Sequence, residues 1–257
     1  MYAERGDEPA LADCYFYHTM DVPGHGVVAG EWDLRAGVDT YLGHEDVRGK
    51  RVLELGTASG FLCFEMERRG AEVVAYDLDR SGSWDIVPFA GLDVPAIAAD
   101  RATHIAKINN SWWLCRRAFG SAARVVYGSV YEIPVAIAPI DLCTFGAILL
   151  HVRDPLRALQ SAAALRPQTI VVTEMERRKR FGFVPERGLA RRSAYFIPDA
   201  ATSAPFETWW SFSPESISNL LAIVGYRTAR VVRHRQMFRG TALPMFTVVA
   251  RRNEDRA

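Results

Sequence analysis

Residues 51–79, RVLELGTASGFLCFEMERRGAEVVAYDLD, limit the fold more than any other stretch of the chain. RVLEL (51–55) has the length and apolar character of a short buried strand, and GTASG (56–60) is a loop bounded by two glycines. FLCFEMERR (61–69) reads as a helix, with Arg68 and Arg69 in its last turn and Gly70 as its stop. AEVVAYDLD (71–79) is a second strand, ending in acids. Strand, glycine loop, helix and strand in this order make a βαβ unit, which requires a parallel sheet.

The rest of the chain extends that sheet. Leu34, Val38, Tyr41 and Leu42 share one helical face, which predicts a helix beginning at Glu31 and ending at Gly43. A second helix is predicted over 100–119, with Ile105, Ile108, Trp112 and Cys115 three or four residues apart. ARVVYG (123–128), IDLCTFG (140–146) and QTIVVTEM (168–175) read as further strands. Asp154-Pro155 starts a helix carrying Leu156, Leu159 and Ala163, and Ser213-Pro214 starts another carrying Ile217, Leu220, Leu221 and Val224. RTARVVRHRQ (227–236) and PMFTVVARR (244–252) form a terminal antiparallel pair. The expected fold is α/β, a doubly wound and mostly parallel sheet of seven strands with a C-terminal antiparallel hairpin. Residues 1–48 are expected to form an N-terminal lid and helix. Residues 49–257 form the main domain, with a basic insertion at 176–212.

Composition bounds the partners. Of 257 residues, 49% are hydrophobic and 24% charged, enough for a sizeable core. No apolar run approaches the ~20 residues of a membrane helix, and the polar N-terminus excludes a secretory signal, so no membrane partner is expected. A net charge of +1 argues against a general polycation. Within it, residues 176–192 carry seven basic residues and two acids. The four cysteines, Cys14, Cys63, Cys115 and Cys143, form no CxxC pair, so no metal site is expected and a reducing, cytoplasmic setting fits.

A glycine loop after the first strand of such a sheet lies where ligands bind, at the carboxyl ends of the strands. The dinucleotide pattern G-x-G-x-x-G fails, because Ala58 and Phe61 stand at its second and third positions, and the P-loop pattern is absent. Asp77 follows Gly56 by 21 residues and ends the second strand, where a carboxylate can accept both hydroxyls of a ribose. Loop and acid together indicate adenosine without a pyrophosphate.

This run, RVLELGTASGFLCFEMERRGAEVVAYDL, resembles the first motif and second strand of the class I S-adenosylmethionine-dependent methyltransferases. Glu54, Gly56, Gly60 and Asp77 match, while Ala58 replaces the usual central glycine. YGSVYEIP (127–134) and IDLCTFGAILLHVRDP (140–155) resemble later segments of that family in the same order, with Ser129 where the family often has Asp. The resemblance implies S-adenosylmethionine as cofactor. Asp77 would then hold the ribose, Leu78 and Val130 would sandwich the adenine, and Ser129 would sit at its edge. The backbone from Glu54 through Gly56 to Thr57, with Phe145 and Gly146, would hold the methionine end.

A narrower resemblance joins 31–56, 146–159 and 191–199 to the tRNA wobble-uridine carboxymethyltransferases, which use carboxy-S-adenosylmethionine. Trp32 matches a tryptophan of that cofactor pocket, and Arg192 a basic residue ahead of the YFIP motif that contains Tyr195. Leu150 stands where that family has a tyrosine and Met245 where it has an arginine, and both departures point to ordinary S-adenosylmethionine.

Methyl transfer to oxygen or nitrogen mainly needs alignment, and in some cases a base. His151, just after the fourth strand, is the candidate base, since a histidine near pKa 6.5 suits proton removal at neutral pH. His18 and His25 are further candidates. The aromatic cluster CYFYHTM (14–20), which includes Tyr17, and Trp209-Trp210 are candidates to line a flat organic substrate. The expected function is methylation of O or N on a small-molecule acceptor of specialised metabolism. Two alternatives share these motifs: a tRNA-modifying enzyme whose nucleic-acid partner meets the basic stretch, and a protein of the same fold that transfers no methyl group.

Overall fold

The structure, a computed structural model, describes residues 1–82, 84–176 and 193–253. The N-terminal segment holds a small antiparallel hairpin, β1 (Met20–Val22) and β2 (Gly26–Val28), and then β3 (Trp32–Asp33) and the one-turn helix α1 (Val38–Tyr41). The βαβ unit follows as β4 (Arg51–Leu55), α2 (Phe61–Arg68) and β5 (Glu72–Asp77). After it come α3 (Val94–Ala118), β6 (Arg124–Tyr127), β7 (Leu142–Gly146), α4 (Pro155–Ala163) and β8 (Thr169–Met175). A short pair, β9 (Ala194–Phe196) and β10 (Trp210–Phe212), precedes α5 (Pro214–Ile223) and the long hairpin β11 (Tyr226–Phe238) and β12 (Thr241–Arg252).

The main sheet has the order β3-β11-β12-β8-β7-β4-β5-β6. The run from β8 to β6 is parallel, and β12, β11 and β3 are antiparallel additions. The expected doubly wound sheet with its C-terminal hairpin is therefore present, with eight strands in place of seven. The extra strand also corrects the helix expected from Glu31. Trp32 and Asp33 pair with Phe238 and Met237, and helix forms only over Val38–Tyr41. Leu34, Val38, Tyr41 and Leu42 are all buried, as their spacing indicated. Tertiary pairing overrides the helical pattern because the Trp32 ring is buried against Phe238, with centroids 4.8 Å apart. Gly43 ends the turn at φ +63°, where a Cβ would stand 2.4 Å from Val249 Cγ2.

The helices α3, α4 and α5 start at capping side chains. Asp93 accepts from Ala96 N at 3.0 Å and opens α3 six residues before the predicted start. Asp154 accepts from Arg157 N at 3.0 Å ahead of α4, and Ser213 and Ser216 form a reciprocal box ahead of α5. The sheet's two faces carry separate cores. One is filled by α2, α3 and the N-terminal segment, with Ile105, Ile108, Trp112 and Cys115 of α3 buried. The other is filled by α4 and α5, where Ala158, Leu159 and Ala162 are the buried residues of α4 rather than the Leu156, Leu159 and Ala163 stripe. Among the described residues no helix is long and apolar enough to cross a membrane.

Candidate functional site

The carboxyl ends of β4, β5, β6 and β7 open into one cavity of about 630 Å³, within the usual ~300–1,000 Å³ range of small-molecule sites. Its floor is the glycine loop and the residues just past β5, β6 and β7. One wall is α3, and another is the N-terminal segment through Tyr15, Tyr17, Glu31 and Trp32. Phe238 and Arg239, at the tip of the terminal hairpin, and Glu207 with Thr208, ahead of β10, complete the lining.

The glycine loop is held from beneath. Gly56 turns at φ +76° and donates its N–H to Tyr76 O at 2.7 Å. Ala58, where related loops have glycine, adopts φ +48°, a left-handed conformation costing an L-residue roughly 1–2 kcal/mol. Asp77 holds it there: its Oδ2 accepts from Ala58 N at 2.7 Å and its Oδ1 from Leu78 N at 2.7 Å. Burial pushes the Asp77 carboxyl up to about 6, against the pull of those two N–H groups. Each carboxylate oxygen keeps a further lone pair for a ligand, and Asp77 lines the cavity.

Glu54 and Thr57 act from behind. Glu54 is buried and accepts from Thr57 Oγ1 at 2.7 Å, and burial pushes its carboxyl up to about 8. Neither lines the cavity. Gly60 is also outside the lining; it opens α2 at φ +90°, where a Cβ would stand 2.5 Å from Phe64 Cε2 and 2.7 Å from Trp112 Cδ1. Phe145 is buried in the core below, while Gly146 reaches the lining.

Of the remaining expected site residues, Trp32, Leu78, Ser129, Val130 and Tyr17 line the cavity with Asp77, and so does Leu150, which stands where the carboxymethyltransferases have a tyrosine. His18 does not: its backbone N–H donates to Ser59 Oγ at 3.0 Å, its ring packs 6.1 Å from Phe61, and burial lowers its pKa to about 4. Met245 is fully buried within the sheet, opposite Met175 and His234, away from the lining. Tyr195 is partly exposed on β9, and Trp209 and Trp210 are outside the cavity lining, their Nε1–H groups donating to Asp85 O at 2.5 Å and Arg153 O at 3.2 Å. Arg192 and most of the basic stretch lie outside the described residues.

His151 lines the cavity on the 3-10 turn Leu149–His151. Its Nδ1 stands 2.6 Å from Glu207 O. A carbonyl can only accept, so the proton is on Nδ1 and the Nε2 lone pair is free. Burial lowers the ring's pKa to about 4, which corrects the expectation of a group titrating near neutrality. The imidazole is neutral throughout the physiological range.

The acceptor half also contains residues that sequence patterning does not mark. Glu31 accepts from Tyr15 Oη and pairs with Arg239 at 3.0 Å. Arg101 pairs with Glu207 and lies 5.0 Å over the Trp84 ring. Asp85 accepts from Tyr131 Oη and from Arg153 N at 2.6 Å. The partners in these pairs are distant in sequence or on loops, so no spacing could have announced them.

A family model described as a methyltransferase domain matches residues 33–242. No curated protein matches the chain. Among solved structures, a SAM-dependent methyltransferase from Aquifex aeolicus is similar, with TM-score 0.51 and 16% identity over 86% of this chain and 89% of that one. The 1,6-didemethyltoxoflavin-N1-methyltransferase of Burkholderia thailandensis, solved with 1,6-didemethyltoxoflavin and S-adenosylhomocysteine, is similar with TM-score 0.50 and 17% identity over 85% and 76%. At these identities the structural likeness establishes the fold.

Proposed function

Because this chain belongs to the class I S-adenosylmethionine-dependent methyltransferases, we propose that it methylates an oxygen or nitrogen of a small molecule held beside His151. The donor set fits the cofactor. Asp77 offers two spare acceptor positions to the ribose hydroxyls, Leu78 and Val130 present apolar walls to the adenine, and Ser129 stands at its edge. The N–H groups of Gly56 and Thr57 already donate to Tyr76 O, so carbonyls are what that stretch of loop offers the methionine end. Bound S-adenosylmethionine supplies an electrophilic methyl on a sulfonium, and the rings of Tyr17, Trp32 and Phe238 give a cation favourable faces. His151 then accepts a hydrogen bond, and in the transition state a proton, from the acceptor through Nε2 while Glu207 O holds Nδ1–H.

The observation that carries the small-molecule reading is the pairing of charge within the acceptor half. Glu31 with Arg239 and Arg101 with Glu207 neutralise one another, and Asp85 is satisfied by Tyr131 and Arg153 N. Among the described residues this leaves no cluster of uncompensated cations for a phosphate backbone, and aromatic rings form much of the remaining surface. The test is S-adenosylhomocysteine release with a panel of phenols and heteroaromatic amines, set beside unmodified tRNA. Release with a panel member, at an apparent affinity nearly independent of salt, is expected. Release with tRNA alone, falling steeply with salt, would overturn the reading in favour of RNA.

A further inference from the structure

Glu174 lies in β8, one strand from β7, and only 1% of it is exposed. A carboxyl buried this deeply is less favourable than an apolar side chain of the same size unless it makes a bond the fold uses. Its Oε1 accepts from Leu149 N at 2.9 Å, and the Leu150 N–H also favours its ionised form. These are the opening N–H groups of the turn Leu149–His151, whose own preceding residue, Ile148, supplies no capping side chain. A single 3-10 turn has little stability by itself. Its entry is strained as well, with Ala147 at φ +53° and its N–H donated to Thr173 O at 2.7 Å.

We propose that Glu174 is a positioning residue, which caps the turn Leu149–His151 from the neighbouring strand and so fixes where the His151 ring stands. The turn then has two anchors, its backbone on Glu174 and its ring on Glu207 O. The same anchor reaches the cofactor loop: Ile148 packs over Gly56, with its Cδ1 2.4 Å from where a Cβ on that glycine would be. Glu174 thereby couples the position of the proposed base to the loop below the proposed cofactor. Its place in the reaction rests on the assignment of His151 as base.

The test uses Glu174→Leu, which keeps bulk but cannot accept, and Glu174→Gln, whose amide oxygen still can. Both are followed by thermal melting, Leu149 amide exchange and the ¹⁵N signals of the His151 ring. Folded Glu174→Leu is expected to melt near the wild-type temperature, yet exchange Leu149 roughly tenfold faster. It should also lose the fixed Nδ1–H signature of His151, while Glu174→Gln keeps it. Wild-type His151 signals and Leu149 exchange in folded Glu174→Leu would overturn the proposal. If Glu174→Leu does not fold, the wild-type protein decides: slow exchange at Leu149 supports the cap, and exchange at the rate of an open loop overturns it. His151→Ala separates the two assignments: full turnover in that variant removes the base, while the His151 ring signals of wild type and of the Glu174 variants, which keep the imidazole, still report on the cap.

Discussion

Asp77 works in two directions. It accepts from Ala58 N and Leu78 N behind it, and faces the cavity with what remains of its acceptor capacity. Asp77→Ala should lose about 1.5–3 kcal/mol of S-adenosylhomocysteine affinity, the worth of a hydrogen bond to a charged group, with a lower melting temperature because Ala58 loses its hold. Calorimetry showing wild-type affinity in that variant would remove Asp77 from the ribose site. His151→Ala should leave cofactor affinity nearly unchanged and lower turnover by roughly 10²–10⁴-fold. With S-adenosylmethionine saturating, so that Asp77 is already engaged, the acid limb of the pH–rate profile should lie near 4, where burial places this imidazole, rather than near 6.5. A limb near 6.5 would mean another group titrates. Asp77 was legible in the sequence because it ends a strand at a fixed distance from a glycine loop. The tautomer of His151 was not, since its partner is a backbone carbonyl, which has no sequence signature.

Among the elements, two loops bind each other: the glycine loop after β4 and the stretch Gly146–Ile148 after β7. Gly56→Ala places a methyl 2.4 Å from Ile148 Cδ1 at a φ of +76°, and should cost about 1–3 kcal/mol. Adding Ile148→Ala should restore part of that loss in a double-mutant cycle, and strict additivity of the two melting shifts would show that the loops do not touch. The βαβ core was readable because β4, β7 and β8 are short, mostly apolar runs without strict alternation, the pattern of strands buried on both faces, and nearly all their residues are buried. The stretch from Glu31 misled because its apolar spacing was correct about burial, yet Trp32 and Asp33 found a strand partner near the other end of the chain. The acceptor wall at Glu207 and Thr208 comes from a segment without periodicity, so no sequence rule could have placed it.

Across the molecule, buried titratable groups set a pH dependence of stability. Burial lifts Glu54 and Glu174 to about 8 and Asp77 to about 6, so the folded chain holds protons that the unfolded chain releases from about pH 4 to 4.5 upward. That contribution is full below the unfolded values and fades as pH rises through the folded ones. His18, His151 and His234 are lowered to about 4, so their contribution is present above about 6.5 and is lost as pH falls toward 4. The two sets oppose each other below about 6.5, and only the glutamates act above it. The melting temperature without cofactor should therefore fall from pH 6.5 to 8, and Glu54→Gln with Glu174→Gln should flatten that limb. A melting temperature that rises over this interval would contradict the carboxyl assignments.

The hairpin of β11 and β12 gives the sheet an order of completion. It covers the edge of β8 through β12, receives β3 on β11, and carries Phe238 and Arg239 to the cavity mouth, where Arg239 meets Glu31. All of this is done by residues late in chain order. A nascent chain that has released β4 to β8 from the ribosome holds the proposed cofactor floor, but β8, with Ile170, Val171 and Val172, ends in an unpaired apolar edge. Until the hairpin emerges, that edge is open to a neighbouring chain and the N-terminal wall has no partner for β3. The acceptor chamber is thus finished only once β11 and β12 have followed β8 off the ribosome, and a ribosome stalled within β11 would present a sticky fragment with the proposed cofactor floor in place and no chamber above it.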